Sequence, residues 1–158
     1  MELAFKVTAK IQRPVHDVFQ AVYDPKKLSA YFTTAGASGP LDDGKTVYWD
    51  FADYPGKFPV FVRQVVPDNL ITFEWGTTGE ESQQPNATPA DAPHNTRVEM
   101  TFAPIDADST LVTISESGWR ETPKDLKSSY GNCHGWTQMS CCLKAFLEYG
   151  INLRKGFY

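Results

Sequence analysis

The chain has 158 residues, a formal net charge of −4, 41% hydrophobic and 13% aromatic residues, and a pI near 5.3. That length and apolar content suit one domain with a sizeable core. The acidic balance and scattered Lys and Arg exclude a nucleic-acid surface, and no run approaches the ~18 apolar residues of a membrane span.

Glu2 to Gln12 alternates Leu3, Phe5, Val7 and Ala9 against Lys6, Thr8 and Lys10, which predicts a first strand. Arg13-Pro14 ends it. Pro14 opens a short helix with an apolar face of Val15, Val18, Phe19 and Val22. Asp24-Pro25 caps and starts a second through Leu28 and Tyr31. Thr33 to Asp43 reads as a loop with a short strand at Ala35 to Ser38.

After the Asp43-Gly44 turn, Lys45 to Ala52 places Val47, Trp49 and Phe51 on one face. A turn is expected around Tyr54-Pro55-Gly56. Phe58 to Val66 then reads as a strand buried on both faces, and Pro67-Asp68-Asn69 turns the chain into Leu70 to Trp75. Gly76 to Asn95 is polar and contains no apolar residue larger than Ala, so it reads as a long hairpin loop. Arg97 to Ala103 and Thr110 to Gly118 complete an antiparallel meander. Alternation in the last strand carries Glu116 to the same side as Val112 and Ile114, a carboxylate on an apolar face.

The rest is helical. Thr122-Pro123-Lys124-Asp125 is a helix start. From about Ser128 to Lys155, Trp136, Met139, Leu143, Phe146, Leu147, Gly150 and Leu153 recur at intervals of three and four. Gly131 and Gly135 mark an expected break before Trp136, and Gly156 an expected end. The fold class is therefore α+β, a sheet of about six to seven strands against a long C-terminal helix, with two short helices after the first strand.

Particular residues carry a resemblance. Arg13-Pro14-Val15-His16-Asp17-Val18-Phe19, Tyr23-Asp24-Pro25, Glu116-Ser117-Gly118-Trp119, and Gly135-Trp136 followed by Leu143, Phe146, Leu147 and Glu148 are similar to the SRPBCC (START-like, Bet v 1-like) superfamily, and within it to the bacterial AHSA1-like group. The resemblance covers nearly the whole chain and implies a helix-grip fold, a curved antiparallel sheet wrapped around its last helix. It speaks weakly to function, because such folds host carriers, cyclases, hydrolases and co-chaperones.

Catalytic motifs are absent from the sequence. Cys133 to Cys141 is not a metal-ligand spacing, His16 and His94 lie in remote segments, and Cys133 beside His134 points about 100° away from it on a helix. No Gly-x-Ser-x-Gly elbow or phosphate loop is present, so no catalytic residue, metal or cofactor is expected. The constellation left is aromatic with two polar groups: Phe19, Tyr31, Trp49, Phe51, Phe73, Trp75, Met100, Phe102, Trp119, Trp136 and Met139, with Glu116 and His134 near the ends of their elements. A filled core and an open cavity both fit that composition.

The leading expectation is a non-enzymatic protein that binds a hydrophobic small molecule between sheet and helix. Glu116 is expected partly exposed at the cavity mouth, with His134 a candidate partner. The alternatives are a chaperone-interacting protein, as the family name suggests, and a cyclase- or hydrolase-like enzyme using the same cavity. The missing signal peptide and three unpatterned cysteines point to the cytoplasm, and a monomer or weak homodimer is expected.

Overall fold

The structure, a computed structural model, describes residues 1–77 and 92–158; most of the expected polar loop, residues 78–91, lies outside the described residues. Strand β1 (Leu3–Ile11) leads into helices α1 (Val15–Tyr23) and α2 (Pro25–Ser29). Five strands follow in the first part of the meander and after it: β2 (Gly36–Ala37), β3 (Thr46–Phe51), β4 (Tyr54–Val66), β5 (Leu70–Gly76) and β6 (Asn95–Asp106). Then come β7 (Ser109–Trp119) and α3 (Pro123–Tyr149).

All neighbouring strands are antiparallel, in the order β1-β7-β6-β5-β4-β3-β2. Consecutive strands pair as neighbours from β2 to β7, with short turns between β3 and β4, β4 and β5, and β6 and β7. Strand β1 pairs with β7, so the first and last strands of the chain are neighbours, and β1 and β2 are the two edges of an open sheet. Val98, Met100 and Phe102 of β6 stand opposite Glu116, Ile114 and Val112 of β7, and the apolar members of this set are buried. The expected period-two face is thus realised, carboxylate included.

Local chemistry sets the helix ends. The Asp24 side chain accepts from the N–H groups of Lys26 and Lys27 at 2.8 and 3.1 Å, satisfying donors that the first turn of α2 leaves open. Thr122 caps α3 through the Asp125 N–H at 3.1 Å. At the other end Gly150 takes φ 69°, and the Ile151 N–H reaches back to the Ala145 oxygen at 3.2 Å, the left-handed stop that glycine allows without steric cost.

Four expectations about the elements need correction. Helix α3 ends at Gly150, not Gly156, so Leu153 and Lys155 belong to a tail; Gly150 falls at the spacing of the apolar stripe, which by itself does not tell a cap from a continuing helix. The helix also runs through Gly131 and Gly135 without a break. Two glycines cost about 1 kcal/mol each in a helix interior, which packing of its apolar face can offset. The turn after β3 is Ala52-Asp53, since Phe51 pairs with Tyr54.

Strand β4 is not buried on both faces. Val60 and Val62 are buried while Val66 is 39% exposed. On its other face Arg63 pairs with Glu74 at 2.8 Å and lies 5.9 Å from the Phe61 ring. Helix α3 covers the opposite face, resting on β1 and β7, with Trp136, Met139, Cys142 and Leu143 buried in the shared core.

Candidate ligand cavity

Glu116 has 0% exposure, deep beneath α3. Its Oε1 accepts from Trp75 Nε1 at 3.0 Å, Thr96 Oγ1 at 2.6 Å and Asn132 Nδ2 at 3.0 Å. Its Oε2 accepts from Trp136 Nε1 at 2.8 Å and Asn132 Nδ2 at 3.2 Å. Strands β5, β6 and β7 and helix α3 therefore meet on one carboxylate. A buried charged group is costly unless its oxygens are satisfied, and here uncharged donors satisfy them.

This arrangement corrects the expectation of a partly exposed Glu116 paired with His134. His134 is exposed on α3. Residues 132 and 136 lie four apart on one helix face, whereas 134 falls about 200° from each and must face away. That spacing was visible in the sequence and identifies Asn132 as the helical partner.

Beside Glu116 opens a cavity of about 340 Å³. Its walls come from β3, β4 and their turn (Phe51, Asp53, Tyr54, Phe58), from the end of β5 (Trp75, Gly76, Thr77), and from Phe32 and Trp119. Helix α3 adds Ser128, Gly131, Asn132, Gly135 and Trp136, and the tail adds Arg154 and Tyr158. Among the described residues, nothing lies within 4 Å of where a Cβ on Gly131 or Gly135 would stand. The two positions leave the helix backbone facing open space.

Of the residues singled out from the sequence, Phe51, Trp75, Trp119 and Trp136 line the cavity, and Glu116 stands behind Trp75 and Trp136. Phe19, Tyr31, Trp49, Phe73, Met100, Phe102 and Met139 do not; they are buried in the core. Phe19 meets Phe102 edge-on at 5.4 Å, Trp49 meets Phe73 at 5.3 Å, and Tyr31 stacks on Phe146 at 5.2 Å. Aromatic residues thus divide between a filled core and a cavity wall. Sequence reasoning missed Phe32, Tyr54, Phe58, Arg154 and Tyr158, which come from loops, hairpin ends and the tail, where periodicity says nothing about facing.

The tail closes one side of the cavity. Arg154 donates from Nε and Nη2 to Asp53 at 2.8 and 2.7 Å, a bidentate pair. Its guanidinium lies 4.7 Å from the Phe51 ring centre and 5.4 Å from those of Phe32 and Tyr158, within cation–π range. Tyr158 also donates to Gln138 on α3.

Thr77 of the lining has its Oγ1 3.3 Å from His94 Nδ1, and His94 Nε2 lies 3.1 Å from Asp125 Oδ2. This contact joins the ends of β5 and β6 to the first turn of α3. Cys133, Cys141 and Cys142 are all free, and burial pushes the Cys142 thiol up, away from the reactive thiolate. Among the described residues no three His, Cys, Asp or Glu side chains could hold a metal ion, and no helix is long and apolar enough to cross a membrane.

The fold has many relatives among solved structures. Protein SSP2350 from Staphylococcus saprophyticus is 24% identical, with 96% of each chain covered and a TM-score of 0.73. The Aha1 dimer from Colwellia psychrerythraea is 19% identical over 94% of this chain and 98% of that one, with a TM-score of 0.71. DynU16, a protein from the dynemicin biosynthetic locus, is 23% identical with a TM-score of 0.74; 94% of this chain covers 48% of it, about half its length. At these identities the likeness concerns the fold, the helix-grip arrangement of SRPBCC proteins. The sequence matches no curated protein. Residues 12–148, most of the chain, match the family model described as activator of Hsp90 ATPase homolog 1-like protein, and the chain belongs to that family.

Proposed function

We propose that the protein is a non-enzymatic binder of a hydrophobic small molecule, held in the cavity between the sheet and α3. The observation that carries this reading is the cavity of about 340 Å³, half of whose described lining residues are aromatic, within the size range of small-molecule sites. The room beside Gly131 and Gly135 among the described residues supports it, because the helix backbone there meets no side chain. Glu116 supports the non-enzymatic part. Its oxygens already hold Trp75, Thr96, Asn132 and Trp136, and a general acid or base must reach the substrate proton directly or through one water. In this reading the chain works as one domain, in the cytoplasm.

Native mass spectrometry of the protein after incubation with a lipophilic cell extract tests the proposal. A retained small molecule, absent from a Gly135→Leu variant whose new side chain enters the cavity, is the expected result. Retention unchanged in that variant would move the site elsewhere.

A chaperone contact is the second reading, favoured by the family description. It places the working surface outside the cavity, so pull-down of a chaperone that survives Gly135→Leu supports it over the first.

A further inference from the structure

We infer that the cavity selects by charge: it takes uncharged or amine-bearing aromatic molecules and rejects carboxylates and sulfonates of the same shape, with Glu116 as the specificity-determining residue. The inference rests on the cavity being a ligand site. Three of the residues that hold Glu116, namely Trp75, Asn132 and Trp136, themselves line the cavity. The carboxylate is therefore one side chain behind the wall.

All of these bonds are donated to the two Glu116 oxygens, the pattern that suits an acceptor-only ionised carboxylate. None comes from Lys, Arg or His among the described residues. Arg154, the cationic side chain among the described residues of the lining, is held by Asp53 in a bidentate pair, which adds no net charge. Among the described residues of the lining the charges of Asp53 and Arg154 balance, so the uncompensated charge is that of Glu116, one side chain behind the wall. In a poorly hydrated site such a charge is weakly screened, and one about 8 Å away at an effective dielectric near 20 alters the binding of an ion by tenfold or more. The aromatic wall already accepts a cation face-on, since the Arg154 guanidinium sits against Phe51, Phe32 and Tyr158.

The test uses N-phenyl-1-naphthylamine, an uncharged dye that brightens in apolar sites, displaced from the protein by three matched naphthalenes: 1-naphthylmethylamine, 1-naphthylmethanol and 1-naphthoate. The amine and the alcohol are expected to displace it at concentrations about tenfold lower than the carboxylate. The overall charge of −4 also repels anions, but that surface effect fades at about 0.5 M salt, whereas a buried charge is screened much less. A preference that survives high salt supports the inference; a carboxylate that competes as well as the alcohol at high salt overturns it. In Glu116→Gln the gap between alcohol and carboxylate is expected to narrow to about threefold or less. An unchanged gap in a folded variant overturns the assignment to Glu116, and the salt comparison on the unaltered protein decides the matter if the variant does not fold. Failure of the dye to bind at all removes the ligand-site reading and this inference together, while binding without charge preference removes the inference alone.

Discussion

Trp136 Nε1 on α3 donates to Glu116 Oε2 on β7 at 2.8 Å, and Asn132, one turn earlier, donates to the same carboxylate. The long helix is thereby fixed to the sheet in rotation as well as in position. Apolar packing alone tolerates small sliding, whereas a hydrogen-bonded buried carboxylate specifies one register. Glu116→Ala leaves the Trp75, Thr96, Asn132 and Trp136 donors without their acceptor, at about 1–3 kcal/mol for each one left buried and unpaired. A loss of at least about 3 kcal/mol in urea unfolding is expected. A loss below about 1 kcal/mol would show that the network is not what holds α3.

Leu143 has 0% exposure in the core beneath α3. Leu143→Ala is expected to cost about 2–5 kcal/mol through lost burial and the space left behind, a large part of a typical total of about 5–15 kcal/mol. Thermal unfolding followed by circular dichroism checks this, and an unchanged midpoint contradicts it.

Much of the fold was legible because period is a strong signal. Val47, Trp49 and Phe51, or Val98, Met100 and Phe102, can share a face only as strands, and Asp24-Pro25 and Thr122-Pro123 announce helix starts by backbone chemistry. The end of α3 was not legible, since Gly150 fits the three-four spacing of the stripe as well as Leu does. The carboxylate on an apolar face was legible; its donors were only half so, because Trp75 and Thr96 lie on strands whose register with β7 no local pattern states. The cavity wall was least legible. Arg154 and Tyr158 reach it from an irregular tail, and their place depends on Asp53 in a distant hairpin.

Stability on the alkaline side follows from groups whose pKa is raised. The hydrogen bond to Asp42, then burial, raises Tyr23; burial raises Tyr31 well above its ordinary value and raises Cys142. A raised folded-state pKa means that the folded state holds its proton more tightly than the unfolded one. The corresponding stability is fully present below the unfolded values, about 8.5 for Cys and 10 for Tyr, and is lost as pH rises through the folded ones. The unfolding midpoint is expected to fall steadily above about pH 9–10, and Tyr31→Phe, which loses the titrating hydroxyl along with its bond to the Ala21 oxygen at 3.0 Å, is expected to flatten the decline. An equal slope in Tyr31→Phe would remove Tyr31 from the account.

The tail beyond Gly150 is held to the body through Arg154 and Tyr158, while Ile151 and Phe157 are 52% and 53% exposed. Asp53→Asn removes the charge from the bidentate pair, and hydrogen bonds to charged groups contribute about 1.5–3 kcal/mol. Local opening of residues 151–158 is expected to increase by tenfold or more in hydrogen exchange, with the sheet unaffected. Faster exchange throughout the sheet would instead mean that the pair supports the whole fold.

Gly135 separates cavity from stability most cleanly. A residue with a side chain is a better helix former than glycine by up to about 1 kcal/mol, and a Cβ at this position meets nothing within 4 Å among the described residues. Gly135→Ala is therefore expected to raise stability slightly. Gly135→Leu carries the same backbone advantage and places a branched side chain in the space beside Trp136. If that space is where the ligand lies, Gly135→Leu unfolds no earlier than the parent yet loses N-phenyl-1-naphthylamine binding by tenfold or more. A destabilised Gly135→Leu would mean that the space is too tight for a side chain, and a stable variant that binds the dye as before would place the dye in some other part of the cavity or outside it.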